Sequence, residues 1–374
     1  MSEVSTIKKG DAVLYTMQDE SQFEALVTGV SQFNGQERVN LKLFTTGETK
    51  NGMSASRCTK IDKPVNDVYG IDQIEHTGQT FKFAGVELPI RKDHPMTKHL
   101  IPAARTYFVE EKRTEDYEDI FDSVDKHENL LLVGEPGCGK SEFVLWLANK
   151  LNVPVVQVQG DGEMSVVDMV GGFQFSEEKK GTYWVDGIIP FALRHKCWIL
   201  FDEINMTLPE VLSRLHSMMD DRRHLDLKEI NEILHRTDDT VIFGTMNPSD
   251  DGRHVGTKPL SPALWSRFNL IVNFEFLEAE NEKKLLVERT GITDKDAGEM
   301  IKFATEARKG FRNNEVSEVV DTRMLLAWGR KTKKFGIKRG LKNTILSRLD
   351  SESINVLRGV LIAYGVVEAE GKHK

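Results

Sequence analysis

A chain of 374 residues is long enough for two or three domains and a substantial buried core, which excludes a peptide or a disulfide-stapled scaffold. Fifty basic against 58 acidic residues leave a net charge of −8, and this argues against a protein that coats nucleic acid. The three cysteines (Cys58, Cys138, Cys197) lack metal-like spacing, Met1 to Thr6 lacks a signal-peptide core, and no apolar stretch approaches membrane-spanning length; together these predict a soluble, cytoplasmic protein without structural disulfides.

Residues 1–60 read as a small β module. Short β-prone runs at Ala12–Tyr15, Ala25–Val30 and Arg38–Phe44, with turn signals at Asn34-Gly35 and Asn51-Gly52, suggest an SH3-like barrel that binds a partner or packs on its neighbours. Residues 61–115 are broken by Pro64, Gly70, Gly78, Gly85, Pro89, Pro95 and Pro102, with one β-prone piece at Thr80–Val86, and read as a connector wrapping the core. His94 and His99 there lack paired ligands at metal spacing and read as surface histidines. A polar helix follows near Glu115–Lys126.

From residue 116 to 276 apolar strand-like runs alternate with helical patterns, the signature of a parallel sheet covered on both faces. Five strands are placed at Leu130–Val133, Pro154–Val158, Cys197–Phe201, Thr240–Thr245 and Leu270–Phe276, with one helix through Leu208–Met219. This predicts an α/β fold, a five-stranded parallel αβα domain. Residues 277–374 read as a helical lid with helices at 278–289, 294–309, 321–334 and 341–365. Its basic cluster at Lys331, Lys333, Lys334, Lys338 and Arg339 reads as a solvated helix face or a contact to nucleic acid or an acidic neighbour.

The first strand runs into Gly134, Glu135, Pro136, Gly137, Cys138, Gly139, Lys140 and Ser141, the spacing of a phosphate-binding P-loop, and a helical apolar repeat follows at once. The glycines let backbone amides converge on phosphate oxygens at a helix N-terminus. Lys140 would reach the outer phosphates of a nucleotide and Ser141 would ligate Mg²⁺. A second apolar strand ends in Asp202-Glu203, where Asp202 would order Mg²⁺ and its water and Glu203 would polarise the attacking water. Cys138 either makes the loop oxidation-sensitive, because a helix N-terminus lowers a thiol's pKa, or fills a position that takes any small residue; the second reading is preferred.

Taken with Phe243-Gly-Thr-Met-Asn247-Pro248 and Leu260-Ser-Pro-Ala-Leu-Trp-Ser-Arg267-Phe268, these motifs resemble the AAA+ ATPases of the MoxR-type branch, over about residues 116–340. That branch includes ATPases that activate rubisco and nitric oxide reductase and the small motor subunit of cobaltochelatase. The resemblance implies roles for further residues. Asn247 would be the polar sensor beside the attacking water, Arg267 an arginine finger reaching into the next subunit's ATP, and Arg323 the second sensor on the lid. The bland alternatives are a turn cap for Asn247 and ion pairs for the two arginines. Residues 161–187 resemble the branch's pore-facing insertion, with a hairpin from Phe173 to Trp184 turning at Glu178–Gly181. Arg222 and Arg223 are secondary candidates for a neighbour-facing arginine. The resemblance implies a homo-hexameric ring that remodels or activates a protein client, with a von Willebrand A domain partner and no membrane. A nucleic-acid translocating motor and a nucleotide-gated scaffold with little turnover are the alternatives.

Overall fold

The computed structural model describes residues 7–8, 12–17, 22–33, 35–43, 49–60, 71, 73–176, 181–248 and 259–363. Strands β1 (Ala12–Thr16), β2 (Gln22–Phe33), β3 (Gln36–Leu43), β4 (Thr49–Ser54) and β5 (Cys58–Lys60) form an antiparallel sheet in the order β4-β3-β2-β1-β5. Val13, Ala25, Val27, Val39 and Leu41 bury its inner face, as period-two alternation requires. Gly35 turns β2 into β3, while Asn34 lies outside the described residues. Asn51-Gly52 is not a turn. Gly52, at φ +68, lies within β4 where the register against β3 shifts, and its N–H donates to Asn40 Oδ1 at 3.0 Å.

The connector holds a hairpin, β6 (His76–Phe83) and β7 (Val86–Arg91), where the sequence suggested one strand. Ala84 and Gly85, both at positive φ, split the β-prone run. The hairpin carries Phe81 and Phe83 onto Phe121 and Trp146, with ring centroids 4.9–6.1 Å apart. These rings sit on α1 (Thr114–Asp125) and on the helix after the P-loop.

The central sheet contains β8 (Asn129–Gly134), β9 (Val155–Gln159), β12 (Trp198–Asp202), β15 (Ile242–Met246) and β16 (Leu270–Phe274), parallel throughout in the order β16-β8-β15-β12-β9. Successive side chains of β8 enter different cores: Leu130 and Leu132 pack with α1 and α2 (Lys140–Leu151), and Leu131 packs with the opposite layer. That layer contains α3 (Val166–Val170), α4 (Ile188–Arg194), α5 (Pro209–Ser213) and α6 (His216–Met219). The one helix expected over 208–219 is thus two short ones. Between α3 and α4 the hairpin β10 (Gly171–Ser176) and β11 (Gly181–Asp186) stands out with Phe173 and Phe175 exposed; residues 178–180 of the turn expected at 178–181 lie outside the described residues. A smaller hairpin, β13 (His224–Leu227) and β14 (Glu232–His235), precedes β15, and α7 (Pro262–Trp265) precedes β16.

The lid has its own core around Phe303 and Trp328. It comprises α8 (Ala279–Thr290), α9 (Asp294–Arg312), α10 (Thr322–Phe335), α11 (Ile337–Leu341), a π-helical turn (Lys342–Leu346), α12 (Ser351–Val356) and α13 (Arg358–Ala363). The last helix expected, 341–365, is broken because Asp350 caps a new start by accepting from Ser353 N–H; residues 364–365 lie outside the described residues. Among the described residues no helix is long and apolar enough to cross a membrane.

Candidate nucleotide site

The phosphate loop is shaped by two glycines in the left-handed region, Gly137 at φ +71 and Gly139 at φ +98, after which α2 begins directly at Lys140. Lys140 is buried and its ammonium folds back under the loop. It donates to Gly134 O at 2.7 Å, Glu135 O at 3.0 Å and Asn247 Oδ1 at 3.2 Å. Burial pushes its pKa below the usual lysine value. Cys138 is buried as well, and burial pushes its thiol up, away from the reactive thiolate form.

Strand β12 delivers Asp202 to the same corner. Asp202 Oδ1 accepts from Ser141 Oγ at 2.7 Å and from Thr245 Oγ1 at 2.5 Å, so three parts of the chain meet on one carboxylate oxygen. Glu203 leaves the strand at φ 54, ψ 45, in the left-handed region, and its carboxylate has a different partner from that of Asp202. Its N–H donates to Thr245 Oγ1 at 3.1 Å and its Oε2 accepts from Gln159 Nε2 at 3.0 Å. Gly160 lies so close beneath that a Cβ there would sit 2.2 Å from Glu203 O. Asn205 Nδ2 donates to Asn247 O at 3.3 Å and fixes the backbone that carries the sensor candidate.

A cavity of about 410 Å³ opens over this corner, lined by Gly137–Ser141, Asp202, Glu203 and Asn247 on the core side and by Arg323, Leu326 and Arg289 from the lid. Gly134 and Glu135 face an adjoining cavity of about 430 Å³ behind the loop. The connector closes one wall with Thr106, Tyr107 and Phe108. Tyr107 packs on Phe143 and Trp146 at 5.4 and 5.3 Å, Thr106 Oγ1 donates to Glu288 Oε1 at 2.6 Å, and Arg105 pairs with Glu142 at 3.0 Å. This strap ties α2 to α8 across the cavity.

Arg267 lies elsewhere. Its guanidinium donates to His216 O at 3.0 Å, to Ala263 O, and to Asp220 Oδ2 at 3.3 Å. Arg222 grips the same carboxylate at 3.0 and 2.8 Å, and its hydrogen bonds hold Asp220 well below the usual carboxylate range, with Arg267 adding to the effect. Arg223 pairs with Asp238 at 3.0 Å. The backbone beneath Arg267 is anchored by Asn129, at the start of β8. Asn129 Nδ2 donates to Arg267 O at 2.7 Å and to Met219 O at 2.8 Å, while its Oδ1 accepts from buried Arg236 at 2.6 Å.

The donor set suits a magnesium nucleotide. A hydroxyl and a carboxylate oxygen 2.7 Å apart offer hard oxygen ligands to a cation that takes the rest of its shell from phosphates and water. The buried ammonium and the loop amides suit the phosphates. Sequence reasoning missed Gln159, Thr245 and the strap. Thr245 and Gln159 stand at strand ends beside Asp202 and Glu203, where sheet order would have exposed them; Tyr107 sits in a segment with no motif.

Comparison with known proteins places these elements in a lineage. The profile of the AAA domain (dynein-related subfamily) matches residues 129–268, and that of the CbbQ/NirQ/NorQ C-terminal region matches residues 282–350. The denitrification regulatory protein NirQ of Pseudomonas aeruginosa is 27% identical over 197 residues, 53% of this chain and 73% of NirQ. Protein CbbQ of Hydrogenophilus thermoluteolus is 28% identical over 200 residues, 54% of this chain and 72% of that one. The aerobic cobaltochelatase subunit CobS of a Sinorhizobium species is 25% identical over 233 residues, 59% of this chain and 70% of CobS. Two profiles in succession and relatives that align over the same stretch make one assignment: the chain belongs to the MoxR-type AAA+ ATPases and is an ATP hydrolase.

Proposed function

We propose that this protein hydrolyses ATP at the subunit interfaces of a homo-hexameric ring and uses the cycle to remodel or activate a protein client, working with a von Willebrand A domain partner. The observation that carries the shared-site reading is the position of Arg267. Its guanidinium is committed to His216, Ala263 and Asp220, away from the residues that line the chain's own cavity. The relatives support the client reading, since one is described as a regulatory protein and another as a chelatase subunit. The chain divides into a β module (1–60), a connector (61–115), the αβα domain (116–276) and the lid (277–374).

Within one subunit, Lys140 and the amides of Gly137 and Gly139 bind the outer phosphates, and Ser141 with Asp202 holds magnesium, which neutralises phosphate charge when bound. Thr245 keeps Asp202 oriented. Glu203 takes the proton of the attacking water, and Gln159 holds the carboxylate in place until then. Asn247, fixed by Asn205 and bonded to Lys140, positions that water. Arg323 neutralises charge from the lid side, and Arg267 of a second copy does so from across the interface.

Mixed rings test the sharing. Glu203→Gln subunits and Arg267→Ala subunits are each expected to be nearly inactive alone, losing about 10³-fold in turnover. Co-assembled, they place an intact arginine beside an intact Glu203 at some interfaces, and turnover should reappear. Mixtures that stay as inactive as the parents would rule out action in trans.

A further inference from the structure

The lid touches the phosphate loop through the turn that starts α10. Asp321 is buried at 8% exposure and its two oxygens do different things. Oδ1 accepts from Met324 N–H at 2.7 Å and caps α10. The rest of the side chain lies on the bare Cα of Gly137: a Cβ built there would stand 2.5 Å from Asp321 Oδ2 and 2.7 Å from its Cβ and Cγ. Only glycine permits this approach, and the same residue supplies the loop's turn at φ +71.

The turn itself cannot slide. Glu282, 1% exposed, accepts from Arg308 with both oxygens at 2.7 and 2.8 Å and from Thr322 Oγ1 at 2.6 Å, while Arg308 Nε donates to Val320 O at 2.8 Å. Residues 320–322 are thereby knotted to α8 and α9. Two positions beyond Asp321, Arg323 enters the cavity. Capping alone does not need this residue, because serine or asparagine caps a helix equally well.

We propose that Asp321 is a positioning residue for ATP turnover: by seating the knotted turn on Gly137 it sets where Arg323 stands over the phosphate site, so that the loop and the lid move together. This rests on the ATPase reading of the site. A displacement of about an ångström in a group that stabilises charge costs on the order of 100-fold in rate, so the contact has leverage out of proportion to its size.

The test uses the full chain and three measurements: steady-state kcat and KM for ATP, binding of a fluorescent ATP analogue, and melting temperature. Asp321→Ser keeps a capping oxygen and removes the carboxylate from Gly137. It should melt close to the parent, bind nucleotide within about threefold and lose at least about tenfold in kcat. Asp321→Asn, which preserves shape, should stay within about threefold of the parent. In an Arg323→Ala background the serine change should cost less than about twofold more, because it acts through that arginine. Asp321→Glu, which overfills the contact while keeping the charge, should match the serine variant and serves if the latter folds poorly. Wild-type kcat in Asp321→Ser or Asp321→Glu, or effects that multiply with Arg323→Ala, overturn the proposal. Absence of turnover in the unaltered protein would instead remove the reading on which it rests.

Discussion

Arg323 and Arg267 carry the same charge and are held in opposite ways. Arg323 stands at the edge of the chain's own nucleotide cavity, on a lid helix seated against the phosphate loop. Arg267 is fastened to Asp220 and two backbone carbonyls, and Arg222 shares its carboxylate. A guanidinium fixed by an anion is pre-ordered at low entropic cost, and the residue that orders it here belongs to the same chain. The difference teaches which parts of the proposed machine are complete in one subunit. Lys140, Ser141, Asp202, Glu203 and Asn247 gather at one corner, while the arginine group at Asp220 stands apart from it, as the proposed sharing between subunits requires.

Removing Lys140 strikes the complete corner and should have the largest effect. Lys140→Ala removes a buried cation joined to three oxygens, and ATP affinity should fall on the order of 10³-fold by fluorescent nucleotide binding. Undiminished binding would undo the contrast at its root. Asp220→Ala strikes the other corner: it removes the carboxylate shared by Arg222 and Arg267 and leaves Arg267 only its two backbone carbonyls, so turnover should drop about tenfold while ATP affinity stays within about twofold. Parallel losses in affinity and turnover would mean that Arg267 belongs to its own subunit's pocket. The smallest effect is in pH. Burial favours the neutral amine of Lys140, so its proton leaves at a lower pH than that of an exposed lysine. The alkaline limb of kcat/KM for the free enzyme should therefore fall below pH 10.5, the ordinary lysine value. A limb at or above that value would contradict the burial argument.

The central sheet was legible because its three inner strands, β8, β15 and β12, are buried on both faces and read as apolar runs, Leu130–Leu132 most plainly, while the edge strands β9 and β16 keep exposed positions such as Gln157 and Ile271. The P-loop was legible because its glycines and lysine are fixed in spacing by the phosphates they serve. What escaped depends on neighbours far apart in sequence. Thr80–Val86 looks like one strand until Ala84 and Gly85 fold it onto Phe121 and Trp146. Asn51-Gly52 has turn chemistry, yet the partner strand converts it to a bulge. Gln159 gains meaning only because β9 lies beside β12, so its side chain can reach Glu203. Tyr107 stands beside Phe108 in a stretch without a motif, and its role shows only when it packs on Phe143.

Strand β8 has one more consequence. Its six residues span roughly 20 Å. One end becomes the loop proposed to hold a subunit's own phosphates, and at the other Asn129 grips the backbone of Arg267. Close packing on both faces makes this strand a stiff rod, so displacement at either end is transmitted with little loss. In a ring built through Arg267, each rod would begin at one nucleotide and end beside the next, all pointing the same way round. Contacts of that head-to-tail kind lack the two-fold axis of an isologous pair. The polarity of one strand would thus give the ring a sense of rotation, with each site informed by the neighbour on one side only.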